Sequence, residues 1–160
     1  MKKALVLYHS LFGNTKTVAE SLAKGIGESG VDTECQSIDT VDITQISLYD
    51  LIAIGSPTHK IRPSNEMKEF LDTLKSVDLS GLSGFSFDTR NESRLNKSSW
   101  SVLENSAARS IEKALKRMKV RIIRPRVSAI VQGRKGPLDT GVEETFLQIG
   151  REIGRKLALQ

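Results

Sequence analysis

Three short stretches of the chain carry the side chains best able to hold a ligand. The first reads His9-Ser10-Leu11-Phe12-Gly13-Asn14-Thr15. Ser10 and Thr15 offer hydroxyls, Asn14 an amide, and Gly13 permits close backbone approach. The N–H groups that open a helix carry partial positive charge, so a loop of this kind leading into a helix can cradle a phosphate without a lysine. Hydroxyl and amide contacts suit a phosphate that is held rather than transferred. The simpler alternative is that Asn14 or Thr15 only caps the helix.

The second stretch is Gly55-Ser56-Pro57-Thr58-His59-Lys60-Ile61-Arg62-Pro63. Two prolines fix its course and display hydroxyls between them, as a plain turn also could. His59 has no carboxylate or nucleophile beside it in sequence, so it is expected to be an exposed loop residue rather than a general base. The third stretch begins Phe87-Asp88-Thr89-Arg90 and runs to Trp100, with Asp88 able to cap a turn and Arg90 able to sit in solvent. Three polar loops meeting at one place are harder to explain by capping and turn formation than any one of them is.

The elements around these stretches bring them together. Ala4-Leu5-Val6-Leu7-Tyr8 and Leu51-Ile52-Ala53-Ile54-Gly55 are continuous apolar runs, the pattern of parallel strands buried on both faces. Residues 31–38 read as a second strand and 84–87 as a short fourth. Arg121-Ile122-Ile123 with Ala129-Ile130-Val131 make one interrupted fifth strand. Helical spacing recurs from Thr17 (Val18, Leu22, Ile26), after Pro63 (Met67, Phe70, Leu71, Leu74), at residues 107–118, and through Phe146, Ile153 and Leu157. Strands alternating with helices require right-handed crossovers. The expected fold class is therefore α/β, a three-layer, doubly wound, five-stranded parallel sheet in the order 2-1-3-4-5. Ligands bind such sheets outside the carboxyl ends of the strands where the order reverses, and all three stretches leave strands there. No linker or repeat divides residues 1–160, so one domain is expected.

Composition narrows the function classes. Cys35 is the only cysteine, and His9 and His59 are the only histidines, which excludes an internal disulfide and disfavours a metal cage. The formal net charge is +5, yet no stacking aromatics sit among the cations, so single-stranded nucleic acid is a poor fit. No apolar run approaches the length of a membrane span, and the start of the chain does not read as a secretory signal. A soluble cytoplasmic protein is expected. A receiver-type signalling domain of the same strand order would need an acidic cluster after strand 1, where His9 and Ser10 stand.

At these residues the chain resembles the flavodoxins, particularly short-chain flavodoxin-like proteins of archaea and anaerobic bacteria. The matching motifs are Ser10-x-x-Gly13-Asn14-Thr15-x-x-Val18-Ala19, Gly55-Ser56-Pro57-Thr58, Phe87-Asp88-Thr89-Arg90, Ser106-Ala107-Ala108 and Gly136-Pro137-Leu138-x-x-Gly141. The resemblance covers essentially the whole chain. It implies an FMN site in which Ser10, Leu11, Phe12, Gly13, Asn14 and Thr15 wrap the 5′-phosphate. Ser56, Pro57, Thr58 and His59 would line the ribityl chain and one side of the isoalloxazine ring. Asp88, Thr89 and Arg90 would approach its pyrimidine edge, largely through backbone groups. The implied activity is one-electron transfer between redox partner proteins, with the flavin doing the chemistry.

Two departures from that family are visible. The second stretch lacks an aromatic, leaving His59 or Ile61 to cover one face of the ring, with Trp100 a candidate from the third. The stretches also carry Lys60, Arg62, Arg90, Arg94 and Lys97 where familiar members are acidic, which suits an acidic partner and should favour the anionic reduced flavin. An electron carrier is the leading expectation. An FMN-dependent reductase of quinones or NAD(P)H, and a flavin-less binding domain of the same fold, are the alternatives.

Overall fold

Ala4, Leu5, Val6 and Leu7 are fully buried, and so are Leu51, Ile52, Ala53 and Ile54. These runs form strands β1 (Lys3–Tyr8) and β3 (Leu51–His59), paired in parallel at the centre of the sheet. The structure, a computed structural model, describes residues 1–91 and 105–160. Outside β1 lies β2 (Asp32–Ser37), and outside β3 lies β5 (Ser83–Asn91), both parallel. The last position is shared by β6 (Arg121–Ile122), beside the start of β5, and β7 (Val127–Val131), beside its end. The expected strand order and the interrupted final strand are both present.

Two strands run further than their apolar residues suggest. β5 continues through Asp88, Thr89, Arg90 and Asn91 because β7 pairs with it from Phe87 to Asn91. Ladder bonding satisfies the backbone there, so polar side chains do not end the strand. β3 likewise continues through Ser56, Pro57, Thr58 and His59, then turns back at Lys60 into a two-residue antiparallel strand, β4 (Arg62–Pro63). The expected second loop is therefore a strand end with a hairpin, and the expected third loop begins inside a strand. Lys60 adopts the left-handed conformation at φ 60° in that hairpin.

Helices cover both faces. On one lie α1 (Asn14–Glu28) and α4 (Val142–Ala158); on the other lie α2 (Asn65–Leu74), α3 (Ala107–Arg117) and a 3-10 turn at Ile43–Leu48. The first core contains Phe85, Phe87 and Phe146, whose rings meet at 6.2 and 5.8 Å between centroids. Aromatic pairs of this geometry add about 1 kcal/mol each beyond their buried area. α1 and α4 touch backbone to backbone: a Cβ on Gly150 would stand 2.2 Å from the Leu22 carbonyl oxygen, and one on Gly25 would stand 2.1 Å from that of Leu147. Glycine is required at this crossing because any side chain would push the helices apart. The second core packs Leu5, Leu7, Ile52 and Ile54 of the sheet against Met67, Leu71, Leu74, Ile111 and Leu115.

Candidate functional site

The segment after β1 enters α1 through a left-handed residue, Gly13, at φ 90°. A side chain there would be strained by its own backbone although nothing lies within 4 Å of the Cβ position. The helix has no side-chain cap at Gly13 and no acidic residue in its first turn, so Asn14 and Thr15 do not serve merely as caps. Among the described helices this combination is confined to α1. Ser64 caps α2 by accepting from the Met67 N–H, Ser106 caps α3 by accepting from that of Arg109, and α4 carries Glu143 and Glu144 in its first turn. The amides that open α1 are thus available to an external anion. Ser10 Oγ accepts the Gly13 N–H at 3.0 Å, and its hydroxyl still has a proton to donate.

A cavity of about 480 Å³ opens in front of this turn, within the size range of cofactor sites. Of the residues expected to hold a ligand, it is lined by Ser10, Leu11, Phe12, Asn14, Thr15, Pro57, Thr58, His59, Thr89 and Arg90. Pro57 and Thr89 are partners across the β3–β5 ladder, and Thr15 Oγ1 and Thr89 Oγ1 share a buried hydrogen bond of 2.8 Å. The crevice between β1, β3 and β5 therefore does gather the three stretches. His59 stands exposed at its edge, as expected, whereas Ile61 does not line it.

Gly13, Ser56 and Asp88 do not line the cavity. Gly13 supplies the bend. Ser56 and Asp88 are register partners on the α2/α3 side of the sheet. The Ser56 hydroxyl donates to the Pro57 carbonyl and accepts the Ser64 N–H. Asp88 is fully buried and accepts from the Thr58 hydroxyl at 2.5 Å and, more distantly, from the Ala108 N–H at 3.5 Å. It braces the start of α3 rather than a turn. Burial pushes its carboxyl above the usual aspartate range, opposed by hydrogen bonding from Ser128 and Thr58 and by the charge of Arg90. Arg90 is not solvated as it could have been; it is 3% exposed and faces the cavity from the end of β5. Trp100, with Arg94 and Lys97, lies outside the described residues.

The cavity also contains residues that the sequence reading missed. Asn91 and Val131 close it because β7 ends beside the end of β5, and Gly133 and Arg134 follow them. The strand-end rule that singled out the other loops applies equally to the fifth strand, and its turn was the available signal. Gly136 packs against Asn14, whose amide oxygen would lie 2.7 Å from a Cβ there. Lys60 and Arg134 line the cavity, and Lys135 Nζ sits 5.8 Å from the centre of the half-exposed Phe12 ring. With buried Arg90 they make the surroundings cationic, which suits a phosphorylated ligand.

Other reactive groups are accounted for structurally. His9 is buried, and its Nδ1 lies 2.8 Å from Ser64 Oγ, tying the end of β1 to the cap of α2. Burial, reinforced by Glu20, pushes the Cys35 thiol up to about 11, so it stays protonated and is a packing residue. Among the described residues no group of three His, Cys, Asp or Glu is placed to hold a metal ion. None of the described helices is long and apolar enough to cross a membrane.

The sequence model of the family described as Flavodoxin matches residues 6–148. The chain belongs to the flavodoxin family. Proteins of this family bind FMN, and the features above fit that group: an uncapped helix start for its phosphate and a cavity of suitable size with cationic walls. Flavodoxin from Clostridium saccharobutylicum is 32% identical over 90 residues, 56% of each chain. An NAD(P)H dehydrogenase (quinone) from Acidovorax ebreus is 29% identical over 92 residues, 45% of this chain and 46% of that one. The chain spans about half the length of the curated relatives it matches. A solved flavodoxin from the domain Archaea superposes with a TM-score of 0.78 at 24% identity, covering 98% of this chain and 99% of that one. Flavodoxin 1 from Bacillus cereus does so at 0.76 and 20%, over 95% and 97%. At these identities the superpositions establish the flavodoxin fold.

Proposed function

We propose that residues 1–160 act as one cytoplasmic FMN-binding domain that carries electrons singly between redox proteins. The observation that carries this reading is the uncapped, acid-free start of α1 facing a cavity of about 480 Å³. The Ser10, Asn14 and Thr15 side chains and the backbone from Leu11 through Thr15 would hold the 5′-phosphate. Pro57, Thr58 and His59 would flank the ribityl chain and ring, with Thr89 and Arg90 at the pyrimidine edge. Ser56 and Asp88 support from behind, through the bonds that fix the β3 and β5 ends. When bound, the flavin supplies the electron chemistry; the chain orients it, excludes water from one side and sets the local charge.

Purified protein should bring flavin absorption with it, or quench FMN fluorescence on titration at one equivalent. Gly13→Asp should abolish uptake, because it adds strain and a negative charge where the phosphate would sit. Protein that neither carries nor takes up FMN would overturn the reading and favour a binding domain of the same fold.

A second reading is an FMN-dependent reductase, favoured by the quinone dehydrogenases among the relatives and by exposed Arg134 and Lys60 at the cavity mouth. The FMN-loaded carrier should oxidise NADPH negligibly without an added reductase; rapid turnover with a quinone would establish the enzyme instead.

A further inference from the structure

The two helical layers are built differently. α1 and α4 interlock through Gly25 and Gly150, whereas α2 and α3 stand apart across a cleft of about 1040 Å³. Its apolar lining comes from Leu71 and Leu79, which are buried, and from half-buried Val77, Ala114 and Met118. Five cations, Arg62, Lys68, Lys75, Arg117 and Lys119, surround that lining against two carboxylates, Asp72 and Asp78. Asp72 is paired with Lys75 at 2.9 Å, and Asp78 is taken up by the N–H and hydroxyl of Ser80.

Lys68 on α2 and Arg117 on α3 thus put like charge on opposite banks of an apolar channel. Neighbouring helices in a packed layer gain nothing from that arrangement; it resists closure of the cleft and favours an anionic occupant. The volume sets a scale for the occupant. A helix about 10 Å across occupies roughly 420 Å³ per 5.4 Å turn, so the cleft accommodates roughly two turns. Two turns are enough to seat apolar anchors at i, i+4 and i+7 in a groove. Arg62 and Pro63 of β4 line one end of the cleft, while His59 and Lys60 of the same hairpin line the cofactor cavity. An occupant would therefore lie just across one hairpin from the flavin.

We infer that the α2/α3 cleft is a docking groove for an acidic amphipathic helix of the electron-transfer partner. The cleft's chemistry stands on its own; describing the partner as a redox protein rests on the proposed function.

The probe is a labelled synthetic peptide with leucines at i, i+4 and i+7 and glutamates between, compared with its scrambled isomer of equal charge. Its binding to the purified full chain is followed by fluorescence anisotropy, with and without FMN. The amphipathic peptide should bind and the scrambled one should bind at least about tenfold more weakly. The double variant Lys68→Glu/Arg117→Glu should weaken binding by about tenfold or more, with FMN affinity unchanged. Raising ionic strength from about 0.05 to 0.5 M should weaken wild-type binding in the same sense without any mutation. Ala114→Gln, which narrows the lining without altering charge, should also weaken it. No binding, equal binding of the scrambled peptide, or retained affinity in both variants would overturn the groove. So would preferential binding of ADP or inorganic phosphate there. Peptide binding by protein that does not take up FMN would support the groove while removing the redox reading.

Discussion

The hydroxyls of Thr15, in the first turn of α1, and Thr89, near the end of β5, meet in a buried hydrogen bond of 2.8 Å. Residues far apart in the chain are joined directly beneath the cavity that we assign to FMN. Thr89→Val keeps the shape but leaves the Thr15 hydroxyl buried without its partner, which costs about 1–3 kcal/mol. We expect a lower midpoint in urea and an FMN dissociation constant raised several-fold. Fluorescence titration alongside chemical unfolding checks both. Unchanged FMN affinity would show that the bond braces the fold only.

Arg90 should govern the flavin potential. It is buried and faces the cavity, whereas Lys60 is exposed at the rim. A buried charge is little screened, and an exposed one is screened by water and salt. Arg90→Gln should shift the potential of the more reduced couple negative by about 60 mV or more, a tenfold change in a one-electron equilibrium. Lys60→Gln should move it far less. Equilibrium with dyes of known potential measures both, and equal shifts from the two variants would refute the assignment.

The Asp88 carboxyl gives stability a pH dependence of predictable sign. Its folded-state value is raised by burial, so the native chain holds the proton more tightly than the unfolded chain. The resulting contribution is fully present below the ordinary aspartate value of 3.8 and is lost as pH rises through the folded-state value. Asp88→Asn cannot ionise and should flatten that part of the profile. Thermal midpoints of the two proteins across the acid range provide the comparison, and parallel curves would remove Asp88 as the source.

Two glycines should differ sharply on substitution. Gly150→Ala places a Cβ 2.2 Å from the Leu22 carbonyl oxygen and must separate α1 from α4, a loss of about 1–3 kcal/mol or more. Gly13→Ala meets no neighbour within 4 Å and bears only left-handed backbone strain, about 1 kcal/mol. Calorimetry should rank Gly150→Ala as the more damaging, and FMN titration should rank Gly13→Ala so.

Much of this architecture is readable from residue patterns. Continuous apolar runs at Ala4-Leu5-Val6-Leu7 and Leu51-Ile52-Ala53-Ile54 announce central parallel strands, since only a doubly covered strand tolerates that pattern. The loop at Ser10-Leu11-Phe12-Gly13-Asn14-Thr15 is legible because local backbone chemistry produces it. Strand ends at Asp88, Thr89 and Arg90 are not, because their ladder partner β7 lies far along the chain and side-chain polarity carries no trace of it. The burial of Arg90 and the entry of Arg134 into the cavity follow from that same pairing. Ser56 and Asp88 look like ligand-facing groups by motif, yet their register turns them toward α2 and α3. The cleft between those helices is equally hidden, since Lys68 and Arg117 each read as ordinary charges on a solvated helix face.

The Gly25–Gly150 crossing also bears on how the chain acquires its fold. One face of the sheet has two helical coverings, and they come from opposite ends of the described sequence. During synthesis α1 emerges before α4, and its glycine-lined edge has nothing to meet until α4 has been made. Contacts of such high sequence separation slow the search for the native state. Until then Leu22, Ile26 and the face of β1 beneath them lack their full cover, and a nascent chain in that condition is the form most exposed to aggregation.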